Sequence, residues 1–313
     1  MPFWKRSLAK AQSRKGAKKD ERVRWKRGRH RGYLDMAYNT LKLEFEDEIA
    51  ILTFNRPDRR NAISPELAEE LGAALNEVEA GPSRVLIVTG AGKAFCAGLD
   101  LATLQDLAER TKENYRLQPG GVRDGFPIGL DANIAEARRI ARTFRRLYEF
   151  SKPTIAAVNG AAIAGGCGLA TLCDLTLAAP EAKFGYTEVK IGFMPAVVSV
   201  FLIRQIGEKR ARDLLLTGRV FGAEEALRLG LVNEIVPGDR LMARAREIAE
   251  GLLEVSPSSL AFTKRLIHDL GREELLGELE LAAERSARIR FTSDFHEGLA
   301  AFLEKRKPVW KGE

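Results

Sequence analysis

Cysteine is scarce in this sequence, and long apolar runs are missing. The 313 residues include three cysteines, Cys96, Cys167 and Cys173, whose positions match no metal-ligand spacing. Their odd number argues against a disulfide framework and is typical of a reducing cytosol, so we expect a cytoplasmic protein. No apolar run approaches the roughly 20 residues that a membrane helix needs, so we expect no membrane span.

Histidine is also rare, which limits the options for nucleophilic catalysis. A nucleophilic cysteine needs a base nearby. His268 and His296 lie in C-terminal helical sequence, and His30 lies in a basic N-terminal segment. Cys167 is therefore interpreted as a small buried hydrophobic residue.

The excess positive charge of the chain lies at its N-terminus. Residues 1–35 carry 13 Lys and Arg against 3 Asp and Glu, a balance of +10, whereas the other residues carry 37 against 40, a balance of −3. This head has no apolar periodicity, so we expect it to be disordered. It could be a nucleic-acid-binding tail or a targeting peptide, but we favour translated upstream sequence, with Met36 as the actual start.

Apolar periodicity predicts two strands and a helix after this head. Leu41–Phe45 and Glu48–Phe54 are predicted strands around a turn at Asp47, and the alternation places three side chains on one buried face: Leu41, Leu43 and Phe45. Ser64 is a predicted N-cap with Pro65 as the first helical residue. The buried stripe of this helix is predicted to be Leu67, Leu71, Leu75 and Val78.

Two segments rich in glycine and small residues each follow a predicted strand. The strand Arg84–Thr89 precedes Lys93–Leu101, and the strand Thr154–Val158 precedes Gly165-Gly166 and a helix predicted from Leu169. Glycine lets a ligand approach the backbone, so N–H groups near Leu99 and Gly165 could meet a developing oxyanion. Tight helix–strand packing at the glycines is the alternative interpretation.

The middle of the chain is predicted to contain a loop and then a helix. Residues 102–131 hold many charges, Gly120-Gly121 and Pro127, and are predicted to form a mobile loop over a site. The helical stripe that follows is Ile134, Ala137, Ile140, Ala141, Phe144 and Leu147. The arginines off this stripe favour a solvated face over a nucleic-acid site: Arg138, Arg142, Arg145 and Arg146. The element order predicts α/β layers followed by a helical tail.

Five motifs, in order, resemble the enoyl-CoA hydratase/isomerase, or crotonase, superfamily. They are LTFNRPDRRNAIS (Leu52–Ser64), KAFCAGLDL (Lys93–Leu101), NGAAIAGGCGLATLCDL (Asn159–Leu175), FGYTEVKIGFMP (Phe184–Pro195) and AFLEKRKPVWKG (Ala301–Gly312). The resemblance covers Leu41–Glu313 and is closest in wording to methylglutaconyl-CoA-hydratase-like members. It implies an α/β fold, a crotonase-like spiral of ββα units over residues 36–240. It also implies a C-terminal helical region, residues 241–313, that assembles homo-trimers or hexamers.

The resemblance also implies the residues of the site. The backbone N–H groups of Leu99 and Gly165 would hold a thioester carbonyl, and Glu188 would transfer the proton. Coenzyme A, as part of the substrate, would lie against Arg59, Arg60, Ala62, Ala97, Asp100, Leu101, Phe302 and Lys305. No metal and no further cofactor are implied. Asp174 is assigned a structural role, hydrogen-bonding a turn.

One position departs from the family's pattern. Hydratases of the family commonly use two glutamates; the second corresponds to Glu188, but the first corresponds to Gly168, which has no side chain. Some methylglutaconyl-CoA-hydratase-like relatives also carry glycine there, and isomerases of the family work with one glutamate. A second carboxylate could come from the predicted loop, from Glu113, Asp124 or Asp131.

The predicted function is hydration of a short or branched 2-enoyl-CoA. Two alternatives stay open: a Δ3,Δ2-enoyl-CoA isomerase, and an idle crotonase-fold protein that binds RNA through the basic head and the arginine face. A nucleic-acid partner is the less favoured of these, and a membrane partner is not expected. The acyl chain is left open because residues 102–131 are expected to shape the pocket.

Overall fold

A computed structural model describes residues 38–116, 122–123, 126–127 and 129–312, and it describes no side chains for residues 112–128. The basic head predicted for residues 1–35 therefore lies outside the described residues. Tyr38–Glu313 forms one structural unit.

The strands are divided between two main sheets. In chain order they are β1 (Leu41–Glu46), β2 (Ile49–Phe54), β3 (Val85–Gly90), β4 (Ala94–Cys96), β5 (Val122–Arg123), β6 (Phe126–Pro127), β7 (Thr154–Val158), β8 (Ala161–Ile163), β9 (Leu175–Ala178), β10 (Lys183–Gly185), β11 (Val220–Gly222) and β12 (Glu234–Ile235). One sheet has the order β1-β2-β3-β7-β9-β12 and the other β11-β10-β8-β4, while β5 and β6 pair separately.

Successive strands enter the two sheets in turn, which produces the repeating ββα units. β3, β7 and β9 join the six-stranded sheet, and each is followed by a strand of the four-stranded sheet, namely β4, β8 and β10. Within the six-stranded sheet only β1 and β2 are antiparallel. The expected spiral of ββα units is thus confirmed.

The helices cover both faces of the six-stranded sheet. They are α1 (Pro65–Ala80), α2 (Leu101–Arg116), α3 (Leu130–Tyr148), α4 (Gly165–Thr171), α5 (Ala196–Ile206), α6 (Glu208–Thr217), α7 (Ala223–Leu229), α8 (Leu241–Leu253), α9 (Pro257–Asp269), α10 (Arg272–Ile289) and α11 (Ser293–Leu303). Leu86 and Val88 of β3 face the larger core with α1, whereas Val85 and Ile87 face a second core with α8. Coverage of both faces explains why the parallel strands are apolar without interruption.

Short sequence patterns were sufficient to predict the first helix and several strands correctly. Ser64 caps α1 by accepting a hydrogen bond from the N–H of Leu67, and Pro65 begins the helix. All four predicted core positions of α1 are buried: Leu67, Leu71, Leu75 and Val78. β7 has the predicted bounds, and Asp47 forms the β1–β2 turn with a φ of 53°.

Three local predictions were wrong. Phe45 is 46% exposed rather than buried, and it lies near the end of the edge strand β1. Half of the predicted mobile loop is helix: α2 occupies Leu101–Arg116, and its buried Leu104 and Leu107 provide the apolar contacts. The third wrong prediction is a helix start at Leu169. α4 begins four residues earlier, at Gly165, and its two glycines do not prevent helix formation in this buried segment.

Asp174 has the structural role expected of it. Its carboxylate accepts hydrogen bonds from the N–H and the hydroxyl of Thr154, at 2.7 and 2.9 Å. It also pairs with the buried Lys264 of α9 at 2.6 Å. The turn before β9 is therefore joined to the start of β7 and to a C-terminal helix.

Candidate active site

The ends of β4 and β8 meet at one edge of the four-stranded sheet. The two strands are parallel neighbours, so the residues after them lie side by side. Glycine permits the contact: a Cβ at Gly166 would stand 2.1 Å from the carbonyl oxygen of Cys96. A Cβ at Gly98, whose φ is +89°, would stand 2.9 Å from the Cβ of Ala164. The close approach places the backbone of Leu99 beside that of Gly165.

Two backbone N–H groups are left without partners at this junction. Ile63 bonds to both neighbours of Leu99, donating to Gly98 O at 2.7 Å and accepting from Asp100 N at 2.9 Å, so the N–H of Leu99 points away from Ile63. Gly165 is the first residue of α4, where N–H groups have no intrahelical acceptor. In the part of the chain that the structure describes, neither N–H has a hydrogen-bond acceptor.

The residue before the second N–H is held in a strained conformation. Ala164 has φ 52° and ψ −124°, which a residue with a Cβ rarely adopts. It is fixed by a 2.7 Å hydrogen bond from its N–H to Gly185 O and by acceptance from Gly168 N at 3.2 Å. Such strain persists only where the surroundings impose it, and it is concentrated at functional sites. Here it sets the direction of the Gly165 N–H.

Both N–H groups border a cavity of about 640 Å³. Its walls are mainly apolar, with side chains from α3 and α5 that include Ala137, Phe144 and Val197. Leu99, Gly165 and Glu188, the three predicted catalytic residues, all line this cavity. The structure therefore brings together residues that are far apart in sequence.

Glu188 is a titratable group whose pKa this environment changes. It begins a short 3₁₀ turn after β10, and its Oε2 is shielded from solvent with no hydrogen-bond partner among the described residues. Removal from water disfavours the carboxylate, and this burial raises the pKa of Glu188 from 4.5 to about 7. A carboxyl with a pKa near neutrality is suited to exchange protons with a substrate.

The residues predicted for coenzyme A fall into three groups. Arg59, Arg60, Ala62, Ala97, Leu101 and Phe302 line the cavity without another evident task. Asp100 also lines it, but its carboxylate pairs with Arg56 at 2.8 Å and caps α2 through Ala102 N at 2.9 Å. Lys305 is exposed and is not part of the lining.

The candidates for a second carboxylate are not brought to the cavity. Asp131 lies exposed in the first turn of α3. The side chain of Glu113 and the whole of Asp124 lie outside the described residues. Cys167 is fully buried, and burial raises the pKa of its thiol to about 12, in agreement with its interpretation as a hydrophobic residue.

Comparisons with known proteins agree on one family. The sequence profile of the family described as Enoyl-CoA hydratase/isomerase matches residues 44–120 and 132–313. A putative enoyl-CoA hydratase from Thermus thermophilus is 45% identical over 261 residues, which are 83% of this chain and 96% of that protein. The chain belongs to the enoyl-CoA hydratase/isomerase family.

Other members of the family extend this agreement. A crotonyl-CoA hydratase from Syntrophomonas wolfei is 34% identical over 279 residues, covering 87% of this chain and 98% of its own. The crystal structure of an enoyl-CoA hydratase/isomerase from Xanthobacter autotrophicus Py2 superposes with a TM-score of 0.74 at 33% identity, covering 86% and 98% of the two chains. The predicted crotonase-like fold is thereby confirmed.

Gly168, where the family commonly has a glutamate, has no room for a side chain. A Cβ there would lie 2.6 Å from Cγ1 of Val198 and 2.8 Å from Cε1 of Phe144. Gly168 is buried within α4 and does not line the cavity, whereas Phe144 and Val198 do. An aromatic ring and a valine thus occupy the space beside this position.

We therefore expect Gly168→Glu to destabilise the protein and not to increase hydration. Overpacking together with burial of an unpaired carboxylate costs about 2 kcal/mol or more. The melting temperature should fall by at least about 4 °C. Gly277→Glu is the matched control, because nothing lies within 4 Å of a Cβ at that helical glycine. A Gly168→Glu protein with unchanged melting and faster crotonyl-CoA hydration would contradict this packing argument.

One lining residue escaped the sequence analysis. Arg290, at the C-terminal end of α10, lines the cavity and is fully buried. The signal was present, since Arg290 continues the helical face of Leu279, Ala283 and Ala287, all of which are buried. A charged residue in register with a buried stripe is predicted to be buried with it.

Proposed function

We propose that this protein hydrates the 2,3 double bond of a 2-enoyl-CoA thioester. One observation carries the proposal, and it concerns residues that line the same cavity: Leu99 and Gly165, whose N–H groups have no acceptor among the described residues, and Glu188, whose shielded Oε2 has no hydrogen-bond partner there. Relatives bearing the names enoyl-CoA hydratase and crotonyl-CoA hydratase support the same reaction.

The N–H groups of Leu99 and Gly165 would act on the thioester oxygen. Addition at C3 moves negative charge onto that oxygen as an enolate forms. Donors that are already oriented stabilise this charge without reorganisation, and one donor is typically worth about 3–4 kcal/mol in the transition state. The strained backbone at Ala164 supports this role because it fixes the second donor before substrate binds.

Glu188 would carry the proton through both halves of the reaction. As a carboxylate it takes a proton from water while the oxygen of that water bonds to C3. The protonated Glu188 then delivers the proton to C2, the enolate collapses to the thioester, and the carboxylate is regenerated. One water is consumed and one hydroxyacyl-CoA is formed, so a single carboxyl suffices.

Isomerisation is the second candidate, and one observation favours it. The space beside the position of the family's other glutamate is filled by Phe144 and Val198, so Glu188 is the one glutamate that lines the cavity in the described part of the chain. One carboxylate can take a proton from C2 and return it to C4. Turnover of crotonyl-CoA and of 3-hexenoyl-CoA, each followed by chromatography of the products, separates the two reactions. Absence of hydroxyacyl-CoA from every 2-enoyl-CoA tested would refute the proposed hydration.

The RNA-binding alternative receives little support from the arginine face. Arg138 pairs with Glu280, Arg145 with Glu149, and Arg146 with Glu79. These carboxylates neutralise the guanidinium groups that phosphates would require. No helix in the described part of the chain is long and apolar enough to cross a membrane.

We propose that the protein forms a homo-oligomer through α9. The apolar stripe of α8 packs on its own sheet, whereas Phe262 and Leu266 of α9 and Leu270 directly after it are 72%, 60% and 79% exposed. A contiguous apolar face of this kind is typical of a subunit interface. The family resemblance favours a trimer or a hexamer.

The double variant Phe262→Glu/Leu270→Glu should therefore shift the protein toward monomers. Two charges at an apolar contact remove its hydrophobic gain and leave unpaired carboxylates. Light scattering at micromolar concentration reports the mass. Leu216→Glu, at a side chain that is also 72% exposed, is the control and should leave the mass unchanged. A wild-type monomer under these conditions would refute the interface.

A further inference from the structure

Hydration requires a water molecule that is held in one orientation. One O–H group of the water must face the base while a lone pair faces C3, and a hydrogen bond to Glu188 alone lets the water rotate about that bond. A second polar group beside Glu188 is needed to fix the other O–H group. The family's other glutamate is not available for this task, because the position of Gly168 has no room for a side chain.

Few of the other polar side chains that line the cavity are free to bind this water. Residues 58–60 lie in the exposed turn after β2, and the carboxylate of Asp100 is engaged in an ion pair and a helix cap. The Nε and Nη2 atoms of Arg290 are shielded from solvent. The hydroxyl groups of Thr187 and Ser286 remain, and neither has a hydrogen-bond partner among the described residues.

Thr187 occupies a capping position without acting as a cap. It is the N-cap residue of the 3₁₀ turn that begins at Glu188. A threonine or serine there usually accepts a hydrogen bond from an N–H of the first turn, as Ser64 does in α1 and Thr292 in α11. The side chain of Thr187 makes no such bond, and the N–H of Lys190 donates instead to the backbone oxygen of Thr187 at 3.0 Å. The hydroxyl is therefore left for another partner.

The methyl group of Thr187 is the part of the side chain that packs against the sheet. Its Cγ2 lies 3.4 Å from the position that a Cβ on Gly185 of β10 would occupy. The hydroxyl, attached to the same Cβ, is directed elsewhere. Thr187 is half-buried and lines the cavity, and its Oγ1 is not one of the shielded atoms, in contrast to Oε2 of Glu188. Oγ1 is thus accessible to a small molecule.

Thr187 is also the hydroxyl residue adjacent to the base. Neighbouring Cα atoms are about 3.8 Å apart, and a water that donates both of its hydrogens joins two acceptors that lie roughly 4–5 Å apart. Glu188 lines the cavity although its Oε2 is shielded, which leaves Oε1 as the oxygen for such a water. Ser286 lies instead on α10, which packs against α3 and α5.

We propose that the hydroxyl of Thr187 holds the attacking water against Glu188 and so replaces the family's other glutamate in orienting it. The water donates one hydrogen to Oε1 of Glu188 and the other to Oγ1 of Thr187, which leaves a lone pair for C3. As the C3–O bond forms, the first proton passes to Glu188. The second stays on the oxygen and becomes the hydroxyl hydrogen of the product. This inference rests on the proposed hydration for all other steps.

Thr187→Val removes the hydroxyl and keeps the shape of the side chain. We expect kcat for hydration of crotonyl-CoA, or of the 2-enoyl-CoA that turns over fastest, to fall by about tenfold or more, because the water loses one of its two orienting bonds. Butyryl-CoA is saturated and adds no water, so its Kd from calorimetry should stay within about twofold of the wild-type value. Thr187→Ser keeps the hydroxyl and should retain most of the turnover.

Thr53→Val is the matched control for the loss of a threonine hydroxyl. Thr53 lies on β2 in alternation with Ile49 and Ile51, which face the second core, and it is not part of the cavity lining. The same substitution there should leave kcat within about twofold of the wild-type value. If Thr187→Val weakens butyryl-CoA binding as much as it lowers kcat, Thr187 has a structural role and the inference is wrong.

Three further results would overturn the inference. The first is an unchanged kcat in folded Thr187→Val. The second is an equal loss in Thr187→Val and Thr187→Ser, since the hydroxyl would then not be the group that matters. The third is a loss of hydration in Ser286→Ala that exceeds the loss in Thr187→Val, which would place the water at α10. Failure of the proposed function differs from all three, because the wild type itself would then form no hydroxyacyl-CoA.

Discussion

Replacing Glu188 with glutamine should lower the turnover of enoyl-CoA by at least about a hundredfold, with ligand binding preserved. Glutamine keeps the shape of the side chain but can neither accept the proton from water nor deliver it to C2. The Oε2 atom of Glu188 has no hydrogen-bond partner in the described part of the chain, so the exchange breaks no internal bond there. Steady-state kinetics beside calorimetry with a saturated thioester measures both quantities.

The pH dependence of kcat/KM tests the role of Glu188 more specifically. Because the carboxylate form starts the reaction and its pKa is about 7, kcat/KM should rise about tenfold per pH unit below 7 and level off above it. Glu181→Gln, at an exposed glutamate, should leave this profile unchanged. Full turnover in folded Glu188→Gln, on whichever substrate the enzyme accepts, would overturn the mechanism.

As the pH rises, the free energy of unfolding should fall while kcat/KM rises. The pKa of Glu188 is higher in the folded protein, about 7, than its ordinary 4.5, so folding favours the protonated form. This contribution is complete below pH 4.5 and is lost as the pH rises through 7, at a cost of up to about 3 kcal/mol when the group is fully ionised. Glu188→Gln avoids that cost, so it should melt higher than the wild type at pH 8.5 and similarly at pH 4.5. A lower melting temperature at pH 8.5 would show that the carboxylate is stabilised by contacts other than those described.

Replacing Gly165 with proline should also reduce turnover by about a hundredfold or more, because it removes one of the two N–H donors. Gly165 is the first residue of α4, the helical position at which proline is best tolerated. Thermal melting must therefore show a folded protein before the rate is interpreted. An unchanged rate in the folded proline variant would exclude the Gly165 N–H from catalysis.

Gly165→Ala is the matched control for this experiment. A Cβ at this position would lie 3.3 Å from Cδ1 of Ile63 and 3.4 Å from Cζ of Phe144, contacts that small adjustments relieve. The alanine variant keeps the N–H, so we expect it to retain turnover within about tenfold. An equal loss in the alanine and proline variants would assign the effect to the added volume rather than to the missing donor.

Much of this protein was determined by short-range patterns that can be read in the sequence. Ser64-Pro65 and the leucines after it determine where α1 starts and which face it buries. The apolar runs of β2 and β7 determine two strands of the main sheet. The two glycine-rich segments that follow strands located Leu99 and Gly165, since backbone exposure at a strand end is a local property. Glu188 was located by its motif, not by physical reasoning.

Only the tertiary structure decided which side chains pack against one another. Whether the loop predicted at residues 102–131 becomes α2 depends on apolar contacts of Leu104 with residues nearly 200 positions away, such as Phe295. The stripe of α8 packs on its own sheet while that of α9 stays exposed, although both have the same period.

The contacts around the cavity are decided at the same level. Gly168 excludes a side chain because Phe144 and Val198 stand against it, and Arg290, at the C-terminal end of α10, is buried beside the cavity. Steric exclusion and desolvation depend on neighbours distant in sequence, so a periodic pattern determines that a residue is buried but not what it meets there.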